Sequence, residues 1–190
     1  MTTRPLAPGF YDRPVLEVAR DLLGCTLRHG DCAGVIVETE AYHETEPACH
    51  GFGGVRPSTE VLFGEPGTAY VYRSYGIHAL VNAVCEPAGV GAAVLIRAIE
   101  PTEGLTLIAG RRAGRSPREW TSGPGKLTEA LGISLDLNGA NLSRGPITIE
   151  QGSVPDSDVR TGTRIGITKA VDLPWRFAVA GSPHVSRPRL

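Results

Sequence analysis

The chain has 190 residues, of which 41% are hydrophobic and 21% charged, enough for one hydrophobic core and a single domain spanning residues 1–190. This hydrophobic content excludes a disordered chain, and no apolar run approaches the ~20 residues that cross a membrane. Lysine and arginine total 19 against 20 aspartate and glutamate residues, so a strongly basic nucleic-acid binder is not the first expectation.

The first ten residues lack the apolar region of a signal peptide. We therefore expect a cytoplasmic protein with a flexible N-terminal segment at residues 1–10. The four cysteines form no zinc-type spacing, which favours buried thiols over a metal site or a disulfide framework.

The hydrophobic pattern predicts an α+β domain with a mostly antiparallel sheet. A helix from Val15 to Leu23 comes first, and two more helices are expected near residues 103–112 and 126–131. The predicted strands are, in chain order, Cys25–Arg28, Gly34–Tyr42, Thr68–Ser74, Ile77–Cys85, Ala93–Ile99, Ile147–Glu150, Arg164–Ile167 and Arg176–Ala180. The third and fourth form a hairpin around Tyr75-Gly76, after a long irregular segment at residues 43–67 of a kind that is often functional.

The strand Gly34–Tyr42 carries carboxylates in apolar surroundings. Period-two alternation places Glu38, Glu40 and Tyr42 on one face together with Ile36, and the intervening residues on the other. Carboxylates two residues apart lie ~7 Å from each other, as in an inverting glycoside hydrolase. The same spacing also fits one catalytic carboxylate beside a structural partner for an arginine, and it does not decide between the two.

Positive charge collects at Arg111, Arg112, Arg115 and Arg118, and again at Arg187 and Arg189. These clusters fit either a solvated surface or a face that contacts phosphates. The turn Ser122-Gly123-Pro124-Gly125 fits equally a phosphate site and a simple start of the helix that follows.

Six collinear motifs resemble the alkyladenine (3-methyladenine) DNA glycosylase family, from about Tyr11 to Ser186. They are Val37-Glu38-Thr39-Glu40-Ala41-Tyr42, then His50, then Pro66–Gly76 followed by Asn82, then Leu95–Pro101, then Ser122–Leu127 and Gly181–Ser186. The chain departs from the family at Val55-Arg56-Pro57-Ser58-Thr59, where the family usually has Arg-Thr-Pro-Arg-Asn.

The resemblance implies a role for each matching residue. Glu40 is the expected catalytic base, and Arg97 helps to hold the water that it activates. Tyr42, His50 and Tyr72 form the base pocket, Tyr70 lies at its wall, and Asn82 excludes normal guanine. Tyr75 is the wedge that enters the minor groove from a protruding hairpin, with Gly76, Ile77 and His78 beside it.

The family resemblance implies a curved sheet with flanking helices, no metal and no cofactor. Its implied substrate is a damaged purine in double-stranded DNA, flipped out and hydrolysed by a monomeric, monofunctional enzyme of base excision repair. Lys126 and Lys169 are the only lysines available for lyase chemistry. The competing interpretations are a hydrolase of free nucleosides or O-glycosides using Glu38 and Glu40, and a DNA-damage binder without catalysis.

Overall fold

A computed structural model describes residues 4–74 and 76–190. Within these residues the chain forms one compact α+β domain with an eight-stranded antiparallel sheet. The four α-helices are α1 (Pro8–Tyr11), α2 (Val15–Asp21), α3 (Leu105–Arg111) and α4 (Pro124–Leu131). The strands are β1 (Thr26–His29), β2 (Cys32–His43), β3 (Ala69–Ser74), β4 (His78–Val84), β5 (Ala92–Glu103), β6 (Ile147–Glu150), β7 (Val159–Gly162) and β8 (Arg176–Val179).

β2 is the central strand of the sheet. Along the path β3-β4-β5-β2-β1-β6 it pairs with β5 on one side. On the other side, residues 32–35 of β2 pair with β1 and residues 38–40 pair with β8. Many of its residues therefore pair along both edges, which fixes the register of the strand and the face on which each of these side chains lies.

The main hydrophobic core lies between the sheet and its helices. The apolar stripe of α2 supplies Val15, Val18 and Ala19, while α4 supplies Leu127 and Leu131. The predicted helices and the predicted hairpin are confirmed to within a few residues. The four cysteines are free and buried, as expected.

Two sequence predictions need correction. Residues 164–167 form no strand; the strand lies earlier, at β7, and pairs with β8. In β2, Ile36 packs in the main core while Val37 packs with Ala98 and Ala178 on the opposite face, the reverse of strict alternation.

The reversal comes from two matched irregularities in the β2–β5 ladder. Ile36 pairs with Ile99 and Glu38 with Ala98, so Val37 has no partner. The next pair is Thr39 with Ile96, which leaves Arg97 without one and restores the register. Such bulges re-aim side chains, and here they place Val37 and Glu38 on one face of the sheet.

The N-terminal segment contacts the far edge of the sheet. Leu6 N donates to Ile149 O at 2.8 Å, and Gln151 N donates to Arg4 O at 3.0 Å. No helix within the described ranges is long and apolar enough to span a bilayer.

Candidate active site

A cavity of about 730 Å³ opens beside the β3–β4 hairpin. Its walls come from the hairpin, from β5, from residues 47–50, from the start of α4 and from residues 165–169. Among the described residues, no aspartate or glutamate lines this cavity, whereas Arg73, Arg97 and Lys169 do. Because Arg97 pairs with two buried carboxylates, the positive charge that the cavity offers to a ligand comes from Arg73 and Lys169.

Three aromatic rings form one wall of the cavity. The ring centroids of His50 and Tyr72 are 4.5 Å apart, and those of Tyr70 and Tyr72 are 5.4 Å apart in a stacked arrangement. Burial raises the pKa of Tyr72, and it raises the pKa of Tyr70 to about 12. Both side chains are therefore neutral phenols that offer flat apolar faces at neutral pH.

His50 is the solvent-exposed member of this aromatic wall. Its Nδ1 lies 3.1 Å from Oη of Tyr70, which also lies 3.5 Å from the carbonyl oxygen of Ser58. Burial lowers the pKa of His50 below 6.5, so the imidazole is neutral at physiological pH.

Asn82 is buried in β4 and lines the cavity. Its Nδ2 donates to the carbonyl oxygen of Tyr70, its partner across the hairpin, at 3.0 Å. This bond fixes the amide, so Asn82 presents a rigid polar group inside an aromatic cavity.

Glu40 lies directly behind the cavity wall. Its side chain is fully buried, and Oε2 accepts hydrogen bonds from Tyr42 Oη at 2.8 Å and Arg97 Nη1 at 3.2 Å. Oε1 accepts from the backbone N–H of Ile165 at 2.7 Å. Because a carboxylate has about four acceptor positions, three donors leave one on Oε1.

Tyr42 connects the carboxylate to the cavity. Burial raises its pKa above the usual phenol range, and the charge of Glu40 and the hydrogen bond to it raise it further. Tyr42 therefore keeps its proton and donates a hydrogen bond to Glu40.

The guanidinium of Arg164 covers one face of the Tyr42 ring, with Cζ 4.5 Å from the centroid. Arg164 is held there by Glu46, at 2.7 and 2.9 Å, and by the carbonyl oxygen of Ala41 at 2.9 Å. The ring is thus fixed from behind by a buried ion pair.

Glu38 has different surroundings from Glu40, although both face the same side of β2. Oε1 of Glu38 accepts from Arg176 Nε at 2.6 Å, Arg97 Nε at 3.3 Å and Ser186 Oγ at 2.8 Å. Oε2 accepts from the backbone N–H of Ser186 at 2.8 Å. Glu38 is a buried partner of two arginines and does not line the cavity.

The same cluster fixes Arg97. Its three nitrogens contact Glu38, Glu40 and Oγ of Ser186. The bulge in β5 brings this guanidinium to the cavity wall, where the fixed cation lies between the two carboxylates.

The hairpin tip follows the pair formed by Ser74 and His78. Tyr75, the expected wedge, lies outside the described residues. Gly76 has a φ of 70°, which favours glycine, and Ile77 is 77% exposed. His78 lines the cavity from the base of the tip.

These positions match the order of motifs in one known family. The family model "Methylpurine-DNA glycosylase (MPG)" matches residues 9–183. The chain belongs to the methylpurine-DNA glycosylase family. It is therefore an N-glycosylase that hydrolyses its substrate, and the resemblance seen in the sequence is confirmed.

Individual relatives agree with the family model. A protein from Bradyrhizobium diazoefficiens named "Putative 3-methyladenine DNA glycosylase" is 54% identical over 185 residues, covering 97% of this chain and 92% of the relative. A protein of the same name from Methanoculleus marisnigri is 49% identical over 190 residues, covering 96% and 98% of the two chains.

The sequence motifs of the methylpurine-DNA glycosylase family do not reveal three residues that the structure adds to this site. Ile165 contributes only a backbone N–H, which no side-chain pattern reports. Arg164 stood in a segment expected to be a strand, and its position behind Tyr42 depends on that segment being a loop. Lys169 has no acidic or aromatic neighbour in sequence, yet it lines the cavity.

In the segment 55–59, this chain departs from the usual residues of the methylpurine-DNA glycosylase family. The segment is held by a hydrogen bond between two of its own residues. Oγ1 of Thr59 accepts from the N–H of Arg56 at 3.0 Å, and Thr59 is buried. Ser58 supplies the carbonyl oxygen near Tyr70. The changed residues therefore still connect the loop to the aromatic wall.

Proposed function

We propose that this glycosylase flips an alkylated or deaminated purine out of duplex DNA and hydrolyses its N-glycosidic bond with a water activated by Glu40. The observation that carries the proposal is the free acceptor position on Oε1 of Glu40, beside the cavity wall formed by Arg97 and Ile165. A water at that position would hydrogen-bond to a buried carboxylate whose neighbours Arg97 and Ile165 line the cavity.

For a purine alkylated on the ring, the reaction needs one proton transfer. As the bond between C1′ and the purine nitrogen breaks, the water oxygen bonds to C1′ and Glu40 accepts the proton that the water loses. The alkylated purine is cationic and leaves as a neutral base, which makes it a good leaving group. A deaminated purine such as hypoxanthine is neutral, so it must also take up one proton, from solvent, to leave as a neutral base. The sugar keeps both phosphates, so the product is an abasic site in an intact strand.

The aromatic wall supports recognition of an extrahelical base. Stacking on aromatic side chains is worth about 1–3 kcal/mol per base and tolerates different purines. This offsets the cost of unstacking, a few kcal/mol that is smallest for damaged bases. We assign this stacking to Tyr42, Tyr72 and His50, with Tyr70 supporting the wall and Asn82 excluding the 2-amino group of guanine.

We assign to Tyr75 the role of a wedge that fills the vacated stack, with Gly76, Ile77 and His78 in the minor groove. The exposure of Ile77 at the hairpin tip supports such a contact. We expect the chain to act as a monomer in the cytoplasm, bound to nucleoid DNA if it is bacterial.

The saturation of Glu38 argues against a hydrolase that uses both carboxylates. Four donors occupy the oxygens of Glu38, whereas three donors reach Glu40, so Glu38 is the less suited of the two to activate water. The presence of Glu40 behind the cavity wall and of Arg97 in that wall also argues against a silent binder, which needs neither.

Release of free base tests the proposal. The protein is incubated with a duplex containing one hypoxanthine, with a methylated duplex and with the matching free nucleosides, and released bases are separated by chromatography. We expect release from the duplexes and none from the nucleosides. Hydrolysis of nucleosides alone would indicate the second enzyme class, and binding without release would indicate a damage sensor.

We also predict that borohydride traps no covalent adduct between the protein and DNA containing an abasic site. Lys169 lines the cavity, but it is exposed to solvent, whereas a nucleophilic lysine is activated by desolvation or by an adjacent cation. The measurement is a gel after reduction, with a bifunctional glycosylase as positive control. An adduct that disappears in Lys169→Ala, but persists in Lys126→Ala, would make the enzyme a lyase.

A further inference from the structure

A second concave surface adjoins the cavity. It has a volume of about 650 Å³ and shares His78, Pro124 and Gly125 with the cavity, so the two are continuous. From there it runs along the first turn of α4 to the end of α3. We call this surface the basic groove, after the side chains of Arg111, Arg112, Arg115 and Lys126 that line it.

Two of these four cations form contacts within the protein. Arg111 Nη1 donates to the carbonyl oxygen of Ala130 at 2.9 Å, and Arg112 forms an ion pair with Glu129. Both contacts join the end of α3 to α4. These two side chains therefore build the groove.

The other two cations are available to a ligand. Among the described residues, no hydrogen bond or ion pair holds the guanidinium of Arg115, and Lys126 Nζ has only a 3.5 Å contact with Ser122 Oγ. Both line the groove together with Glu119. The pKa of the Glu119 carboxyl is lowered first by hydrogen bonds from Ser116 and then by the charges of Lys126 and Arg115.

The junction with the cavity is tightly built. A Cβ on Gly125 would lie 2.8 Å from the His78 ring, so glycine allows the hairpin to pack directly on the start of α4. This contact fixes the groove relative to the cavity. From a nucleotide in the cavity beside His78, the DNA strand continues in two directions. One of these directions leads past the groove.

We propose that the basic groove binds the phosphodiester backbone of the DNA next to the nucleotide held in the cavity, through Arg115 and Lys126. The inference rests on the proposed function, because the groove adjoins the cavity to which that function assigns the flipped nucleotide. Duplex DNA carries one negative charge per about 1.7 Å of helix axis. A chain with a net charge of −1 gains little from overall attraction and needs cations concentrated at the contact.

The salt dependence of binding tests this inference. The variant Arg115→Gln/Lys126→Gln is compared with Arg144→Gln/Arg160→Gln, which removes the same charge from exposed positions that line neither the groove nor the cavity. The probe is a labelled duplex with a tetrahydrofuran abasic analogue, titrated between about 0.05 and 0.3 M salt. Thermal melts verify that all proteins are folded.

Each lost phosphate contact lowers the slope of log K against log salt by about 0.9. We therefore expect the groove variant to lose about 1.8 in slope and roughly 60-fold in affinity at 0.1 M salt, while the control changes little. An unchanged slope, or an equal loss in the control, would overturn the inference.

Base release by the wild-type protein separates this result from a failure of the proposed function. Release together with an unchanged slope in the groove variant would reject the groove alone. Groove-dependent binding without release by the wild type would reject the enzyme mechanism and keep the contact.

Discussion

Glu40→Gln is expected to lose base release by about 10²–10⁴-fold while still binding damaged duplex DNA. An amide cannot accept the proton of the attacking water. It also places a donor against the N–H of Ile165 or against Arg97, because both oxygens of Glu40 now accept hydrogen bonds. That mismatch costs about 1–3 kcal/mol of folding stability, so the variant is weakened but folded.

Single-turnover rates on a hypoxanthine duplex, taken well below the melting temperature, measure this loss. Affinity for the tetrahydrofuran duplex is the control, since it needs the DNA-binding surface but neither a base to release nor a proton transfer. A variant that releases base at near the wild-type rate would remove Glu40 from the role of base. Glu38→Gln is the matched comparison two residues away on the same strand.

Glu38→Ala is expected to lower the free energy of unfolding by more than Glu40→Gln does. Removing this carboxylate leaves Arg97 and Arg176 buried, with Arg176 losing its ion-pair partner. Breaking one side of a buried ion pair costs about 3–5 kcal/mol. In a chain of this length, each kcal/mol shifts the melting temperature by roughly 2–4 °C, so we expect a fall of about 6–20 °C.

Glu103→Ala is the matched control for this melt. Glu103 also pairs with an arginine, Arg28, at 2.7 and 2.8 Å, but it is exposed. Exposed pairs contribute about 0–1 kcal/mol. Equal melting temperatures for the two alanine variants would show that Glu38 does not stabilise the fold.

Much of the framework could be predicted because local signals specified it. The apolar stripe of α2 and the alternation in β3 and β4 gave those elements within a few residues. The alternation in β2 correctly placed Glu38, Glu40 and Tyr42 on one face. It failed at Ile36 and Val37, because a bulge depends on the pairing with β5 and leaves no mark in a single strand.

The candidate site was predictable where motifs carry side chains and unpredictable where tertiary contacts define the role. Spacing alone could not tell Glu38 from Glu40, since the difference arises from Arg176 and Ser186, more than 130 residues away in sequence. The segment 164–167 has a strand-like composition, but it forms no strand. Instead, the backbone N–H of Ile165 donates a hydrogen bond to Glu40. Tertiary context overrides local propensity there.

The two irregularities differ in what a deletion at each of them would remove. Deleting Val37 would remove a residue that has no partner in β5, so Ile36 would still lie opposite Ile99 and Glu38 opposite Ala98. The matching deletion in β5 would remove Arg97, the cation beside both carboxylates. The bulge in β2 is therefore dispensable for the register of the sheet, whereas the bulge in β5 carries a residue of the candidate site.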